Sequence, residues 1–313
     1  ILAPGEVGNN LSLYVDTPNM WDAWDIDFFY EKESVQHPEG LGASCTAFGI
    51  VRQVLQFELK IGNSTLKQQV VLASNSKRLE FHTEADWHES RRMLRVSFPV
   101  AVTSTEASFD IQYGTIKRAT HRNTSWEQAR FEVAAHRFID LSDTLYGVAL
   151  LNDCKYGHKI WENTLDLNLL RATSYPDFAA DRGIQHFSYA LLPHTGTLNE
   201  SDVRAEAAAF NRAPRVAAGF AVGEALTIPC RQLNGAGISL EVVKKAEKSD
   251  ALVIRVVETQ GRPSYGTLQF ANRFHELVET NLVEWEQNKS IPLNGKPVTV
   301  SLAPFEIRTY LVK

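Results

Sequence analysis

Residues 55–61 read LQFELKI, with apolar Leu55, Phe57, Leu59 and Ile61 alternating with polar Gln56, Glu58 and Lys60. Side chains of an extended chain point alternately to opposite faces, so this period of two predicts a strand with one buried face. Outward from it, the alternation recurs at Leu79, Phe81, Thr83 and Ala85, at Leu94, Val96 and Phe98, and at Phe109, Ile111 and Tyr113. Later, Leu165, Leu167 and Leu169 alternate with Asp166 and Asn168, and Phe305, Ile307, Thr309 and Leu311 close the series. Many short strands broken by Gly, Asn, Asp and Ser predict a mainly β protein with antiparallel sandwich architecture. One helix is expected over residues 201–210, where Asn199 or Ser201 can cap it and Val203, Ala207 and Phe210 form an apolar stripe. Residues 211–223 are rich in Ala, Gly, Pro and Arg and lack periodicity, which reads as a boundary. It separates a large β-sandwich domain, 1–212, from a smaller C-terminal β domain, 213–313.

The 313 residues suffice for one large domain or two ordinary ones. A net charge of -5 and a pI near 6.0 give no basic footprint for nucleic acid. No apolar run is long enough to span a membrane. The sequence opens on Ile1 with no charged and then apolar leader behind it, so it is not read as an unprocessed secretory precursor. Cys45, Cys154 and Cys230 are odd in number, widely spaced, and fit neither a disulfide framework nor a zinc ribbon. They are expected as buried free thiols in a reducing compartment, which places the protein in the cytoplasm. N-x-S/T sequons at Asn10, Asn63, Asn123, Asn199 and Asn288 pull the other way, although such sequons stay bare in a cytoplasmic protein.

The sequence contains no G-x-S-x-G elbow, phosphate-binding glycine loop, H-E-x-x-H or dinucleotide fingerprint. Three segments hold more polar and aromatic groups than packing needs. In WDAWDID, residues 21–27, the tryptophans offer flat faces for sugar rings, but core anchoring of Trp21 and Trp24 with turn-capping aspartates is the preferred reading. In FHTEADWHE, residues 81–89, His82, Glu84, Asp86 and His88 share one strand face. Residues two apart on a strand are roughly 7 Å apart, too spread for four to hold one ion, so a solvated or domain-contacting polar face is expected. The third is the most informative. A buried strand at 145–151 (LYGVALL) ends abruptly in Asn152, Asp153, Cys154, Lys155, Tyr156, Gly157 and His158. Polar groups on the end of a rigid strand are how a scaffold presents chemistry to a ligand, although Asn152 and Asp153 can equally serve a turn.

Taken together, WDAWDID, FHTEADWHE, THRNTSWEQARFEVAAHRFIDLS (residues 120–142), ALLNDCKYGH (149–158), LNLLR (167–171) and YALLPH (189–194) resemble glycoside hydrolase family 38, most closely the cytosolic-type α-mannosidases. The resemblance runs in order from Asn10 to about Phe210 and then fades to a general pattern ending in PFEIRTYLV. Arg118-Ala119-Thr120-His121 stands where the class tends to read R-P-T-H, and Glu127 where aspartate is more usual.

The resemblance implies a large supersandwich of galactose-mutarotase-like kind followed by a smaller β domain. It also implies a retaining α-mannosidase acting on terminal α-mannosides, with a divalent metal, usually zinc in this family, held by an N-terminal catalytic domain. A retaining mechanism needs two carboxyl groups roughly 5 Å apart about the scissile bond. No residue here matches the family's motifs for nucleophile, general acid or metal ligand, so none is assigned and the chain alone is expected to be inactive. By position, Asn152, Asp153, Lys155, Tyr156 and His158 are the first candidates for lining the sugar pocket, and His121, Asn123 and Trp126 the second. The partners implied are a mannose-containing oligosaccharide, the enzyme's own N-terminal catalytic domain and other copies in a homo-oligomer, with no nucleic acid and no membrane. A stand-alone carbohydrate-binding sandwich without hydrolase activity is the rival reading.

Overall fold

The computed structural model describes residues 1–212, 214 and 229–313. The boundary expected over 211–223 lies for the most part outside the described residues. The chain forms two compact units, Ile1–Asp110 with Ile116–Ala213, and Ile111–Thr115 with Pro214–Lys313.

The first unit contains β1 (Asn10–Val15), β2 (Glu39–Phe48), β3 (Arg52–Ile61), β4 (Ser64–Ala73), β5 (Leu79–Trp87), β6 (Arg92–Pro99) and β7 (Glu106–Ile111). These are followed by β8 (Gly114–Ala119), the one-turn helix α1 (Ser125–Gln128), β9 (Val133–Ala134), β10 (Phe138–Ser142), β11 (Tyr146–Asn152), β12 (Gly157–Trp161), β13 (Thr164–Leu170), β14 (Gly183–Thr195) and α2 (Val203–Asn211). Two antiparallel sheets result, ordered β1-β6-β13-β12-β9 and β2-β3-β4-β5-β14-β11-β10-β7-β8. Apolar side chains from both sheets make one core, with Leu94, Val96, Leu165, Leu167, Val148, Leu150 and Trp87 fully buried. On its other face the larger sheet carries α2, whose Val203 and Ala207 pack with Phe138, Ala149, Leu151 and Leu192. The helix starts two residues later than its pattern predicts, after Asp202, and Ser201 Oγ accepts a hydrogen bond from Val203 N.

The second unit holds β15 (Cys230–Asn234), β16 (Ile238–Lys245), β17 (Leu252–Glu258), β18 (Ser264–Phe270), β19 (Glu276–Thr280), β20 (Gln287–Pro292), β21 (Val298–Leu302) and β22 (Ile307–Val312). They pair as β15-β18-β21 and β16-β17-β22-β19-β20, closing over Ile254, Val256, Leu268, Leu277, Val300 and Tyr310.

The period-two reading fails at informative places. Of the alternating apolar residues of β3 only Ile61 is buried, while Leu55 is 49% exposed, because β3 lies next to the sheet edge. Tyr113 and Phe305, expected to continue strands, sit at positive φ outside them. Asp166, expected on a solvent face with Asn168, is buried and bound to Arg95. All three cysteines are free, but only Cys230 is buried, whereas Cys45 and Cys154 are exposed.

Candidate functional site

The loop between β11 and β12 is built from its two ends. Asn152 is 2% exposed at the last position of β11, and its side chain is wholly engaged. Its Oδ1 accepts from Cys154 N and Lys155 N at 3.1 and 2.6 Å, an Asx-type turn, while Nδ2 donates to the His136 carbonyl at 2.7 Å. At the other end His158 is fully buried, and its ring bridges the loop. Its Nδ1 lies 3.1 Å from the Tyr156 carbonyl, which can only accept, so that nitrogen carries the proton. Nε2 then accepts from Asn152 Nδ2 at 3.3 Å. Burial pushes the pKa of His158 down to about 3, so the ring stays neutral.

The loop therefore turns some of the candidates inward and presents the others. Asn152 and His158 form its internal frame. Asp153 is exposed and its Oδ1 accepts from Ser188 N at 3.0 Å, tying the loop to β14. Lys155 Nζ lies 5.0 Å above the ring of buried Phe187, which orients its stem. Tyr156 is 60% exposed and meets His136 edge to face at 5.5 Å, with its carbonyl also accepting from Ala135 N. Tyr156 is thus offered at the surface, with half-buried Lys155 beside it, from a backbone fixed by five hydrogen bonds.

The second candidate segment begins two residues after β8 and runs through α1. Thr124 and Glu127 form a reciprocal capping box, and Glu127 Oε2 also accepts from Asn123 N at 2.7 Å. His121 Nδ1 lies 3.3 Å from the same oxygen, and these bonds hold the Glu127 pKa below the ordinary carboxylate value despite desolvation. Asn123 is exposed and Trp126 is 77% exposed, so the segment presents an indole and an amide. The two candidates sit towards opposite ends of β12, whose five residues span roughly 15 Å. Trp161 at the far end stacks under Arg122 at 4.5 Å.

Beneath both lies a charge network that the alternation of residue types did not reveal. Arg95 is 1% exposed inside the smaller sheet and binds Asp166 through Nε and Glu132 through Nη1. Burial opposes its charge, yet the two carboxylates hold its pKa well above the ordinary value. Burial likewise raises the pKa of Glu132 against the pull of Arg95. The 3-10 turn Phe28–Lys32 lays Tyr30 over this network, where Lys159 donates to the Tyr30 hydroxyl and to Glu31. Glu31 also takes both guanidinium nitrogens of Arg122, and despite burial these partners bring its pKa to about 2. The sequence signal was an Arg inside the apolar run 93–98 and an Asp inside LDLNLL.

Trp21 and Trp24 are not core anchors: they are 61% and 68% exposed, and Tyr30 is the buried aromatic of that segment. Their aspartates tie the segment to other parts of the chain rather than cap its turns: Asp22 accepts from Ser174 N and Oγ, and Asp27, which precedes the 3-10 turn without capping it, accepts from Asn19 N. Along β5 the face bearing His82, Glu84 and Asp86 is resolved into pairs, His82 with Glu80 and His88 with Asp86. Among the described residues no three His, Cys, Asp or Glu side chains come together as a metal site. The described residues thus offer no ligand set that fits a catalytic zinc.

Two family profiles match the chain: "Glycosyl hydrolases family 38 C-terminal domain" over residues 1–179 and "Glycosyl hydrolases family 38 C-terminal beta sandwich domain" over residues 237–310. The chain is 37% identical over 318 residues to human alpha-mannosidase 2C1, covering 99% of this chain and 30% of that protein. It is 34% identical over 323 residues to alpha-mannosidase G of Dictyostelium discoideum, covering 98% of this chain and 29% of the relative. It thus spans about 30% of the length of the curated relatives it matches. The solved alpha-mannosidase from Enterococcus faecalis V583 superposes with a TM-score of 0.76 at 18% identity, over 98% of this chain and 38% of that one, a likeness of fold. With the family's C-terminal domain matched over more than half its length, the chain belongs to glycoside hydrolase family 38 and comprises β domains of that family's C-terminal region.

Proposed function

We propose that this chain is the non-catalytic C-terminal part of a retaining α-mannosidase, bracing the catalytic domain and lending its sugar pocket the loop 153–156. The activity would be hydrolysis of terminal α-mannosides, with the nucleophile, general acid and zinc supplied by the N-terminal part of the longer enzyme. The observation that carries the loop's role is its construction. Asn152 and His158 spend every polar atom on the loop's own shape and leave Lys155 and Tyr156 projecting from it. A fixed backbone presenting an ammonium and a phenol ring suits a hexose, which takes hydrogen bonds at its edges and stacking on its apolar face. Asp153 can accept from a hydroxyl beside them, and Trp126 with Asn123 and His121 offers a second stacking surface. Three free thiols, two of them exposed, support a reducing, cytoplasmic setting.

Exposed Trp21, Trp24, Trp126 and Tyr156 also suit a stand-alone carbohydrate-binding module. Isothermal titration of the 313-residue chain with α-mannosides, alongside a hydrolysis assay, separates the two. Neither turnover nor millimolar binding is expected from a scaffold part. Binding at millimolar affinity or tighter by this chain alone would establish the module instead.

A further inference from the structure

Below the second candidate segment is a small cavity with about 20 Å³ of room for the centre of a water-sized sphere. Its lining is cationic: Arg118, Arg122, Arg130 and Lys159, with the His121 ring beside them, against the single carboxylate of Glu127. The acceptors nearby are already committed. Glu31 takes both Arg122 and Lys159, and Glu127 takes His121 and two backbone amides. Arg118 and Arg130 are left over. Arg118 is wedged over the Phe109 ring at 4.6 Å, and Nη2 finds only the Ala134 carbonyl at 3.3 Å. Its Nη1 is buried with no hydrogen-bond partner among the described residues. Arg130 makes no side-chain hydrogen bond or ion pair among them. Burial and then the neighbouring charge of Arg130 both work against the Arg118 cation.

One negative charge would give the buried nitrogen of half-buried Arg118 its missing acceptor and face the exposed guanidinium of Arg130 beside it. A single water needs roughly 10–15 Å³ by the same measure, so the space has room for a one-atom ion. We propose that the cavity holds one halide-sized monovalent anion between Arg118 and Arg130, independently of any sugar bound at the surface above.

Bromide is the probe. Crystals of the chain soaked in sodium bromide are expected to show an anomalous peak in contact with both guanidinium groups. In solution the melting temperature should rise by about 2–4 °C in bromide over gluconate at equal ionic strength, and saturate. Arg130→Gln, a change at an exposed position, should remove both the peak and the rise while leaving a folded protein. Equal melting temperatures in the two salts, a rise kept by Arg130→Gln, a cavity without bromide, or a carboxylate of the longer chain filling the site would each overturn the assignment.

Discussion

His158 makes the clearest physical statement of any single residue. A lone histidine at the end of a polar loop suggests a ligand-binding or proton-moving group, yet its ring is enclosed and its two nitrogens are consumed by Tyr156 and Asn152. With its pKa near 3 in the fold and near 6.5 when unfolded, the unfolded chain binds the extra proton between those values. Stability is therefore fully present above about pH 6.5 and falls as the medium is acidified towards 3. Between pH 7 and pH 5 this one group should cost about 2 kcal/mol. Urea titrations at both pH values should show that loss in the native chain and lack that component in His158→Gln, whose amide can keep one of the two bonds. An equal loss in both proteins would mean that His158 is not the titrating group. Glu31 acts in the same direction lower down, since its carboxylate, held near 2, loses its stabilising effect as the pH drops below about 4.5.

At the scale of elements, β10, β11 and β14 show how tightly neighbouring strands fix one another. Gly147 pairs with Ser142 on one side and His194 on the other. A Cβ there would lie 2.5 Å from the Ser142 Cβ and within 2.5 Å of His194 ring atoms. The imidazole cannot step aside because Nε2 is bound to buried Asp140 at 2.7 Å. Gly147→Ala should destabilise the first unit by about 1–3 kcal/mol, read as a lowered urea midpoint at unchanged slope. A midpoint equal to that of the native chain would show that this strand triplet has slack. Strands of this kind were legible in the sequence because alternation survives wherever one face meets the core, as along β5 and its Phe81, Ala85 and Trp87. Alternation misled where both faces are covered. Asp166 and Arg95 sit in apolar runs and look like the polar side of a strand, but Arg95 and its two carboxylate partners, Asp166 and Glu132, are distant in sequence, and only the fold brings the charges together. The loop 152–158 was legible as a presented segment. Which of its residues point inward was not, because Asn152 and His158 are the same residue types that bind ligands.

For the whole molecule, two sandwich units with separate cores account for the described residues. The family match rests on domains that cover about 30% of the relatives, so the proposed hydrolase chemistry would enter here only through what this part presents. The central claim is that Lys155 and Tyr156 touch the sugar. The direct measurement is steady-state hydrolysis of an α-mannoside by the longer enzyme carrying Lys155→Ala or Tyr156→Ala, with melting temperatures recorded to confirm that both variants fold. The account predicts a loss in kcat/KM of tenfold or more in each, since removing a hydrogen bond from a charged donor or an aromatic contact in a site costs about 1.5–3 kcal/mol. Variants that keep both kcat and KM unchanged would contradict it and leave this chain as a scaffold alone.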